Sequence, residues 1–196
     1  TMTLQVFALV LLFSIPLGIL VAFCLQVHWK PLHYMIDIYI WVMRGTPLLL
    51  QLIFIYYVLP SIGIRLDRVP AAIIAFTLNY AAYFAEIFRG GFLAVDKGQY
   101  EAAKVLGLNR SQTMFRIIFP QMFRVALPSL ANETITLVKD TSLVFVIGMG
   151  DLLEAAKNIA NAEVTILPYF FCMIFYLVLT TVPALIFKKL EKKYSF

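Results

Sequence analysis

Charged side chains are scarce in this sequence, and their scarcity limits the class of protein it encodes. Asp, Glu, Lys and Arg make up 14% of the 196 residues, whereas 62% are hydrophobic and the mean hydropathy is +0.87. Soluble domains have about 45–50% apolar and about 25% charged residues, so this composition excludes a soluble globular domain. We predict an all-α integral membrane protein in which residues 1–196 form a single transmembrane domain.

The sequence also lacks the motifs of common nucleotide-binding and hydrolytic sites. It has no phosphate-binding G-x-x-x-x-G-K-[ST] loop, no G-x-S-x-G and no H-E-x-x-H. His28 and His33 are one residue off the i, i+4 spacing of a helical zinc pair. The cysteines, Cys24 and Cys172, lie in apolar runs where a thiol usually packs as a small hydrophobe. We therefore expect a chain that is not an enzyme and holds no metal or cofactor itself.

Long apolar runs, in contrast, are abundant. A transmembrane helix needs about 20 apolar residues, and five runs approach that length. They cover about 2–25, 36–60, 69–92, 123–148 and 166–188. The chain begins inside the first run without the charged n-region of a signal peptide, so we expect that a short segment precedes it in the natural protein.

The cations between these runs are distributed unevenly. The loop after the third run and the C-terminal tail are rich in Lys and Arg, whereas the opposite side holds only Arg65, Arg68 and Lys157. By the positive-inside rule, we predict a cytoplasmic C-terminus and an outward N-terminus. The net charge of +5 is thereby explained without nucleic acid as a partner, because the cations form no single basic face.

A polar segment of about residues 93–122 interrupts the apolar chain. Asp96 and Gln99 have capping-box spacing, and Gly107 suits a helix C-cap, so we predict a short helix over about 98–106. At helical offsets one face would carry Tyr100, Ala103, Leu106 and Gly107. Asn109 or Ser111 would start a second helix, which Pro120 and Pro128 would bend.

The same segment carries an ordered motif, EAA-x3-G-x9-I-x2-P. It resembles the cytoplasmic coupling loop of the permease subunits of binding-protein-dependent ABC importers. The residues that carry the resemblance, or flank it in the docking helix, are Tyr100, Glu101, Ala102, Ala103, Gly107, Ile117 and Pro120. Three further stretches, 44–47, 79–91 and 139–143, look like the polar amino acid uptake branch of that superfamily.

The resemblance implies a specific architecture and set of partners. The fold would be the type I importer permease (MetI-like) fold, with five transmembrane helices and a cytoplasmic coupling helix, in a bacterial or archaeal cytoplasmic membrane. The partners would be two ABC ATPase subunits that bind ATP and Mg, a second permease copy or paralogue, an extracytoplasmic solute-binding protein and an amino acid. In such an importer the coupling helix docks on the ATPase.

Polar side chains form a stripe on the fourth span. At 100° per residue, an arc of about 120° contains Asn132, Glu133, Thr136, Lys139 and Asp140. Each ionisable group costs roughly 2.5–3.5 kcal/mol at the centre of a membrane helix, so the stripe must face protein or water. Pairing of charges, such as Lys139 with Asp140 or Glu133, would lower this cost. A solute pathway and a structural ion-pair cluster both remain open.

A second stripe and a helix break complete the predicted pathway. On the third span, Asn79, Tyr83, Glu86 and Gly90 lie within about 60°, and Glu86 is better suited to pair with Arg44 or Arg89 than to meet a solute. On the second span, Gly45 and Pro47 flank Thr46, and Pro47 frees a carbonyl one turn earlier. That break would be either a small polar binding spot or a bend without ligand.

One further segment, from Asp151 to Glu163, has the pattern of a short amphipathic helix at the outer membrane interface. By the family resemblance its hydrophilic face would receive the solute-binding protein, although its pattern favours a plain surface helix.

We predict from these features an ATP-driven importer subunit for a polar or charged amino acid that works by alternating access. Glutamine, glutamate, cystine, histidine and arginine are not distinguished, nor is a homodimer from a heterodimer. One alternative is an ion-gradient-driven transporter or channel that uses Glu133, Lys139 and Asp140 as an ion relay. Another is a membrane scaffold or sensor that binds a partner through the polar segment without moving solute.

Overall fold

The computed structural model describes residues 2–194, and all regular structure among them is helical. The α-helices are α1 (Met2–Cys24), α2 (Lys30–Gly45), α3 (Leu48–Ile53), α4 (Arg68–Ala94), α5 (Lys97–Val105), α6 (Arg110–Gln112), α7 (Phe119–Asp140), α8 (Leu152–Glu163) and α9 (Leu167–Tyr194). Wider π turns at Phe54–Val58 and Thr113–Ile118 follow α3 and α6. Tighter 3-10 segments cover Leu59–Ile62 and Thr141–Ile147.

Three helices, α1, α4 and α9, are long and apolar enough to cross a membrane, and the bent pair α2–α3 would provide a fourth span. The α7 helix is outside this set and carries the charged groups of the predicted stripe. It also differs from its predicted extent of 123–148, because it starts at Phe119 and changes to 3-10 geometry after Asp140.

The predicted second span, 36–60, is not one continuous helix. It begins earlier, at Lys30, and turns by 105° between Gly45 and Leu48. The cause is local: Thr46 and Pro47 adopt extended backbone geometry, and proline has no N–H to continue the helical ladder. The unwinding at Thr46 predicted from Gly-Thr-Pro is confirmed.

The core of the bundle is α4, which packs against α1, α7 and α2. Small residues allow the closest of these contacts. A Cβ built on Gly18 of α1 would lie 2.6 Å from the Cβ of Phe84, and one on Gly91 would lie 2.9 Å from the Met122 carbonyl oxygen of α7. Close backbone approach of this kind holds helices together in lipid, where the hydrophobic effect between helices is absent.

Three links fasten α2 to α4 along their shared length. The Tyr39 hydroxyl donates to the Leu78 carbonyl at 2.6 Å, the Asn79 amide donates to the Met43 carbonyl at 2.8 Å, and Arg44 pairs with Glu86 at 3.4 Å. All three partners on α4 lie within just over two helical turns.

At the other end of the bundle, an aromatic cluster attaches the polar segment to the membrane helices. Phe23 of α1 has ring centroids at 5.4 Å from Phe92 of α4 and 6.1 Å from both Phe115 and Phe119. This cluster joins the helix ends that flank α5, so α5 is held against the bundle from both sides.

Candidate functional site

The break after α2 leaves a carbonyl without a helical partner, and side chains supply the missing donors. In a continuous helix the Met43 carbonyl would accept from residue 47, but Pro47 has no N–H. Instead, Gln51 Nε2 donates to Met43 at 2.9 Å and Asn79 Nδ2 donates to it at 2.8 Å. The freed carbonyl is therefore satisfied, which a backbone group buried in a membrane protein requires.

Gln51 links the two sides of this break. Its amide also donates to Thr46 Oγ1 at 2.8 Å, and its Oε1 accepts from Asn79 Nδ2 at 3.0 Å. Sequence reasoning missed Gln51, although a lone glutamine in the apolar run Leu-Leu-Leu-Gln-Leu-Ile was a usable signal. Asn79, predicted to meet solute, has both amide hydrogens engaged with the break, so its donors act on the bend.

A polar cavity of about 580 Å³ lies beside the break. Six of the predicted pathway residues line it: Thr46, Asn79, Tyr83, Glu133, Thr136 and Asp140. Arg44 and Tyr80 add polar groups, and the apolar part of the wall includes Leu48, Leu49 and Leu143. The break in α2–α3, the middle of α4 and the second half of α7 therefore meet at one place.

The remaining three predicted pathway residues are not part of this lining. Glu86 pairs with both cations that the sequence suggested: it accepts two 2.7 Å hydrogen bonds from Arg89 and lies 3.4 Å from Arg44. Asn132 and Lys139 are exposed on α7. These two residues lie on a surface of α7 that the described chain leaves uncovered.

The ion pair suggested for Lys139 is not formed within the described residues. Among the residues the structure describes, no ion pair within 4 Å joins Lys139 to Asp140 or Glu133. Asp140 instead accepts a 2.7 Å hydrogen bond from the Tyr80 hydroxyl. The reason is angular: Lys139 points away from the cavity, whereas Glu133 and Asp140, two turns apart, both face it.

Charge within the cavity is mixed. Arg44 lies over the Tyr83 ring, 5.2 Å from its centroid, and shares the Glu86 carboxylate with Arg89. Glu133 and Asp140 of α7 provide two carboxyl groups to the same cavity. The lining thus combines a guanidinium from α2 with carboxyl groups from α7, an arrangement that suits a ligand with both an acidic and a basic group.

The predicted short helix in the polar segment is present as α5, although its start is capped differently from the prediction. Asp96 Oδ1 accepts from the Gly98 N–H, whereas the Gln99 side chain accepts a hydrogen bond from Gln121. The capping box forms instead at the start of α6. There Asn109 Oδ1 accepts from the Gln112 N–H, and Gln112 Oε1 accepts from the Asn109 N–H. Asn109 is thereby confirmed as the start of the second helix.

The end of α5 is confirmed at Gly107, which has φ +72°. The Gly107 N–H bonds the Lys104 carbonyl and the Leu108 N–H bonds the Ala103 carbonyl, which together form a Schellman motif. We expected Ala103 and Leu106 on one face of the helix, but this turn separates them: Ala103 is buried, whereas Leu106 is 75% exposed.

The other residues of the EAA pattern differ in exposure. Glu101, Ala102 and Pro120 are exposed, and Ile117 is half-buried against the core. Tyr100 is partly covered, and this burial raises the pKa of its hydroxyl. Beside them Val105 is 88% exposed, so α5 presents an apolar edge, Val105 and Leu106, next to its short side chains.

Beyond the cavity, the predicted amphipathic helix is present as α8. Asp151 caps it by accepting from the Glu154 N–H at 2.8 Å and also accepts from the Tyr176 hydroxyl of α9. These bonds attach α8 to α9, so its orientation is set by the bundle.

Comparison with known proteins gives a consistent set of matches. Residues 14–196 match the family model described as binding-protein-dependent transport system inner membrane component. The chain is 42% identical over 148 residues to the L-cystine transport system permease protein TcyB of Bacillus subtilis (strain 168), covering 76% of this chain and 63% of that protein. It is 38% identical to the arginine transport system permease protein ArtQ of the same organism, covering 97% of this chain and 88% of ArtQ.

Solved structures agree. The chain is similar to a crystal structure of an amino acid ABC transporter with histidines, with a TM-score of 0.90, 35% identity, and coverage of 98% of this chain and 90% of that one. It also superposes on an inward-facing MetNI methionine ABC transporter with a TM-score of 0.75 at 16% identity, covering 100% of this chain and 92% of that one. The second likeness concerns the fold alone.

Proposed function

The chain belongs to the family of inner membrane components of binding-protein-dependent transport systems, and from that premise we propose that it is the translocating subunit of an ATP-driven importer for polar or charged amino acids. It is a transport component and not an enzyme. ATP and Mg would be held by a separate ATPase, and a binding protein would deliver the solute.

The apolar edge of α5 is the observation that carries this proposal. Val105 and Leu106 are 88% and 75% exposed in a segment rich in Lys and Arg, outside the apolar spans. In this charged segment, two adjacent exposed apolar residues support a docking surface for a protein partner. Together with Glu101 and Ala102, they would form the face that docks on the ATPase.

The cavity is the proposed path of the solute. Arg44 would meet the carboxylate of an amino acid, and Glu133 and Asp140 would meet its ammonium group. Relatives named for cystine and arginine transport fit a mixed-charge cavity of this kind. Of the predicted pathway residues, Thr46, Tyr83 and Thr136 would supply neutral contacts, whereas Asn79 and Glu86 would position the wall.

Two further features of the complex are part of the proposal. Asn132 and Lys139 lie exposed on α7, so a second permease copy or paralogue would cover this face and complete the path. The bent pair and α7 would join α1, α4 and α9 as membrane spans to give five, with the N-terminus outside and α5 in the cytoplasm.

The mechanism would be alternating access. Closure of two ATPase subunits on ATP would bring the two α5 helices together and open the cavity outward, and hydrolysis would reset it inward. The anchoring of α5 through Phe115, Phe119 and Phe23 provides a route for this movement into α1 and α4.

A matched pair of double variants tests the docking surface. Val105→Gln/Leu106→Gln removes the apolar edge of α5, and Ile166→Gln/Leu167→Gln makes the same kind of change at two exposed residues beyond α8. Each buried Val or Leu contributes about 1.5–3 kcal/mol, so we expect the α5 variant to weaken ATPase binding by at least about 100-fold. Co-purification from detergent-solubilised membranes measures it.

The control variant should retain the ATPase at the native level. Absence of an ATPase from the native preparation would refute the importer proposal. Uptake abolished by an uncoupler while ATP is maintained would then favour a gradient-driven transporter.

A further inference from the structure

Two segments without α-helical geometry border the cavity at its far end, the end opposite α5. The π turn Phe54–Val58 continues α3, whose Leu48 and Leu49 line the cavity. The 3-10 segment Thr141–Ile147 continues α7, and its Leu143 lines the cavity on the other side. Each segment therefore continues a helix that lines the cavity.

Side-chain hydrogen bonds connect the π turn and the start of α4 to the 3-10 segment. The Tyr57 hydroxyl, in the π turn, donates to the Val146 carbonyl at 3.1 Å. Arg68, at the start of α4, donates through Nη1 to the Gly148 carbonyl at 3.0 Å and contacts the Tyr56 hydroxyl through Nε at 3.4 Å. Arg68 lies about 16 Å along α4 from Asn79, so these bonds lie beyond the cavity and not within it.

Both acceptors lie at the end of the 3-10 segment. The last carbonyls of a helix have no partner inside it, and here Tyr57 and Arg68 satisfy two of them from other elements. Gly148 ends the segment at φ +68°, with its Cβ position 3.5 Å from the Arg68 guanidinium carbon. A side chain at residue 148 would therefore be strained by the positive φ, and its Cβ would lie in ordinary van der Waals contact with Arg68.

The bonds lie at the surface of the chain and are individually weak. Tyr57 is 55% exposed, and Arg68 is likewise exposed. One hydrogen bond contributes only about 0.5–1.5 kcal/mol net, so each of these bonds can break in a conformational change. The far end is thus closed by contacts strong enough to bias a conformation and weak enough to break during a transport cycle.

Building on the proposed import function, we propose that Tyr57 and Arg68 are positioning residues that hold the far end of the cavity closed, and that both bonds to the 3-10 segment break when solute enters from that side. The π turn contributes the flexibility for this movement, since its wide turn lacks the regular α ladder and such turns recur at functional sites.

Thiol labelling of the full permease–ATPase complex tests the proposal. A Leu143→Cys reporter is introduced with Cys24→Ala and Cys172→Ala, in right-side-out vesicles without ATP. A membrane-impermeant methanethiosulfonate reagent is then added to the outer side. Tyr57→Phe and Arg68→Gln should each raise the labelling rate about 2- to 10-fold, the effect of one net hydrogen bond on a two-state equilibrium.

Matched controls remove the same groups at positions that make no side-chain hydrogen bond or ion pair among the described residues. Tyr169→Phe deletes a hydroxyl on α9, and Arg65→Gln deletes an exposed guanidinium three residues before Arg68; both should label at the native rate. An unchanged rate in both test variants, or an equal rise in the controls, would overturn the proposal. A higher labelling rate in only one of the two test variants would show that the other residue does not hold the cavity closed.

Two further measurements distinguish the closure from a purely structural role and from the import function itself. A purely structural role would lower the melting temperature of Tyr57→Phe without changing its labelling rate, and that outcome counts against the closure. Amino acid uptake by the native complex is measured in the same vesicles. Its absence would refute the import function, whereas labelling requires no transport and reports on the closure alone.

Discussion

The α1–α4 contact provides the sharpest test of the fold, through the substitution Gly18→Ala. The added methyl would lie 2.6 Å from the Cβ of Phe84, 3.1 Å from the Ala81 carbonyl oxygen and 3.2 Å from the Ala85 nitrogen. Carbon atoms pack at about 3.5–4.0 Å, so the two helices must separate by about 1 Å. Overpacking of this kind costs about 1–3 kcal/mol.

Gly90→Ala on α4 is the matched control. A Cβ at Gly90 meets nothing within 4 Å, and both substitutions gain the same helix propensity, about 0.5–1 kcal/mol. The difference between them therefore isolates the clash. We expect Gly18→Ala to melt roughly 2–10 °C below Gly90→Ala in detergent, as measured by calorimetry. Equal melting temperatures, or a higher one for Gly18→Ala, would refute the close packing of α1 on α4.

Two other substitutions test local features. Gln51→Leu should destabilise the chain by about 0.5–1.5 kcal/mol for each hydrogen bond lost, because the Met43 carbonyl keeps only the Asn79 donor. A double-mutant cycle with Asn79→Leu should show non-additive losses, and additive ones would contradict the shared network. Gly107→Ala places a side chain at φ +72° at a cost of about 1–2 kcal/mol and should accelerate amide hydrogen exchange in α5, whereas Gly45→Ala, where the Cβ meets nothing within 4 Å, should leave α5 unchanged.

Local chemistry was the part of the fold that sequence could predict. Gly-Thr-Pro predicts the break after α2 because proline cannot donate, and Gly107 predicts the end of α5 because a positive φ favours glycine. Both follow from one or two residues. The same holds for Asn109, whose side chain reaches only the next helical turn.

Contacts between helices were harder to predict. Helical periodicity placed Glu133 and Asp140 on one face, but it could not show that Tyr80, 60 residues earlier, would be the partner of Asp140. Lys139 was assigned to the same stripe because an arc of about 120° is wide enough to include a residue that points outside the cavity. The register between α4 and α7 decides such pairs, and spacing within one helix carries no information about it.

Predicted helix boundaries were wrong where the backbone geometry changes without a change in amino-acid composition. Residues 141–147 are as apolar as the end of a span, so the switch from α to 3-10 geometry after Asp140 has no signal in hydropathy. Gln51 was overlooked for a related reason: its role depends on a carbonyl eight residues earlier, across a bend whose angle the sequence does not define.

The three links between α2 and α4 have a mechanical consequence. A helix joined to its neighbour at Tyr39, Met43 and Arg44, over more than one turn, cannot slide or tilt independently without breaking all three contacts. The two helices therefore move together, and the extended residues Thr46 and Pro47 are the first place beyond α2 where α3 can move separately. Since α7 is also attached to α4, by the Gly91–Met122 packing and the Tyr80–Asp140 hydrogen bond, we expect the cavity to change width by movement of α3 at that break.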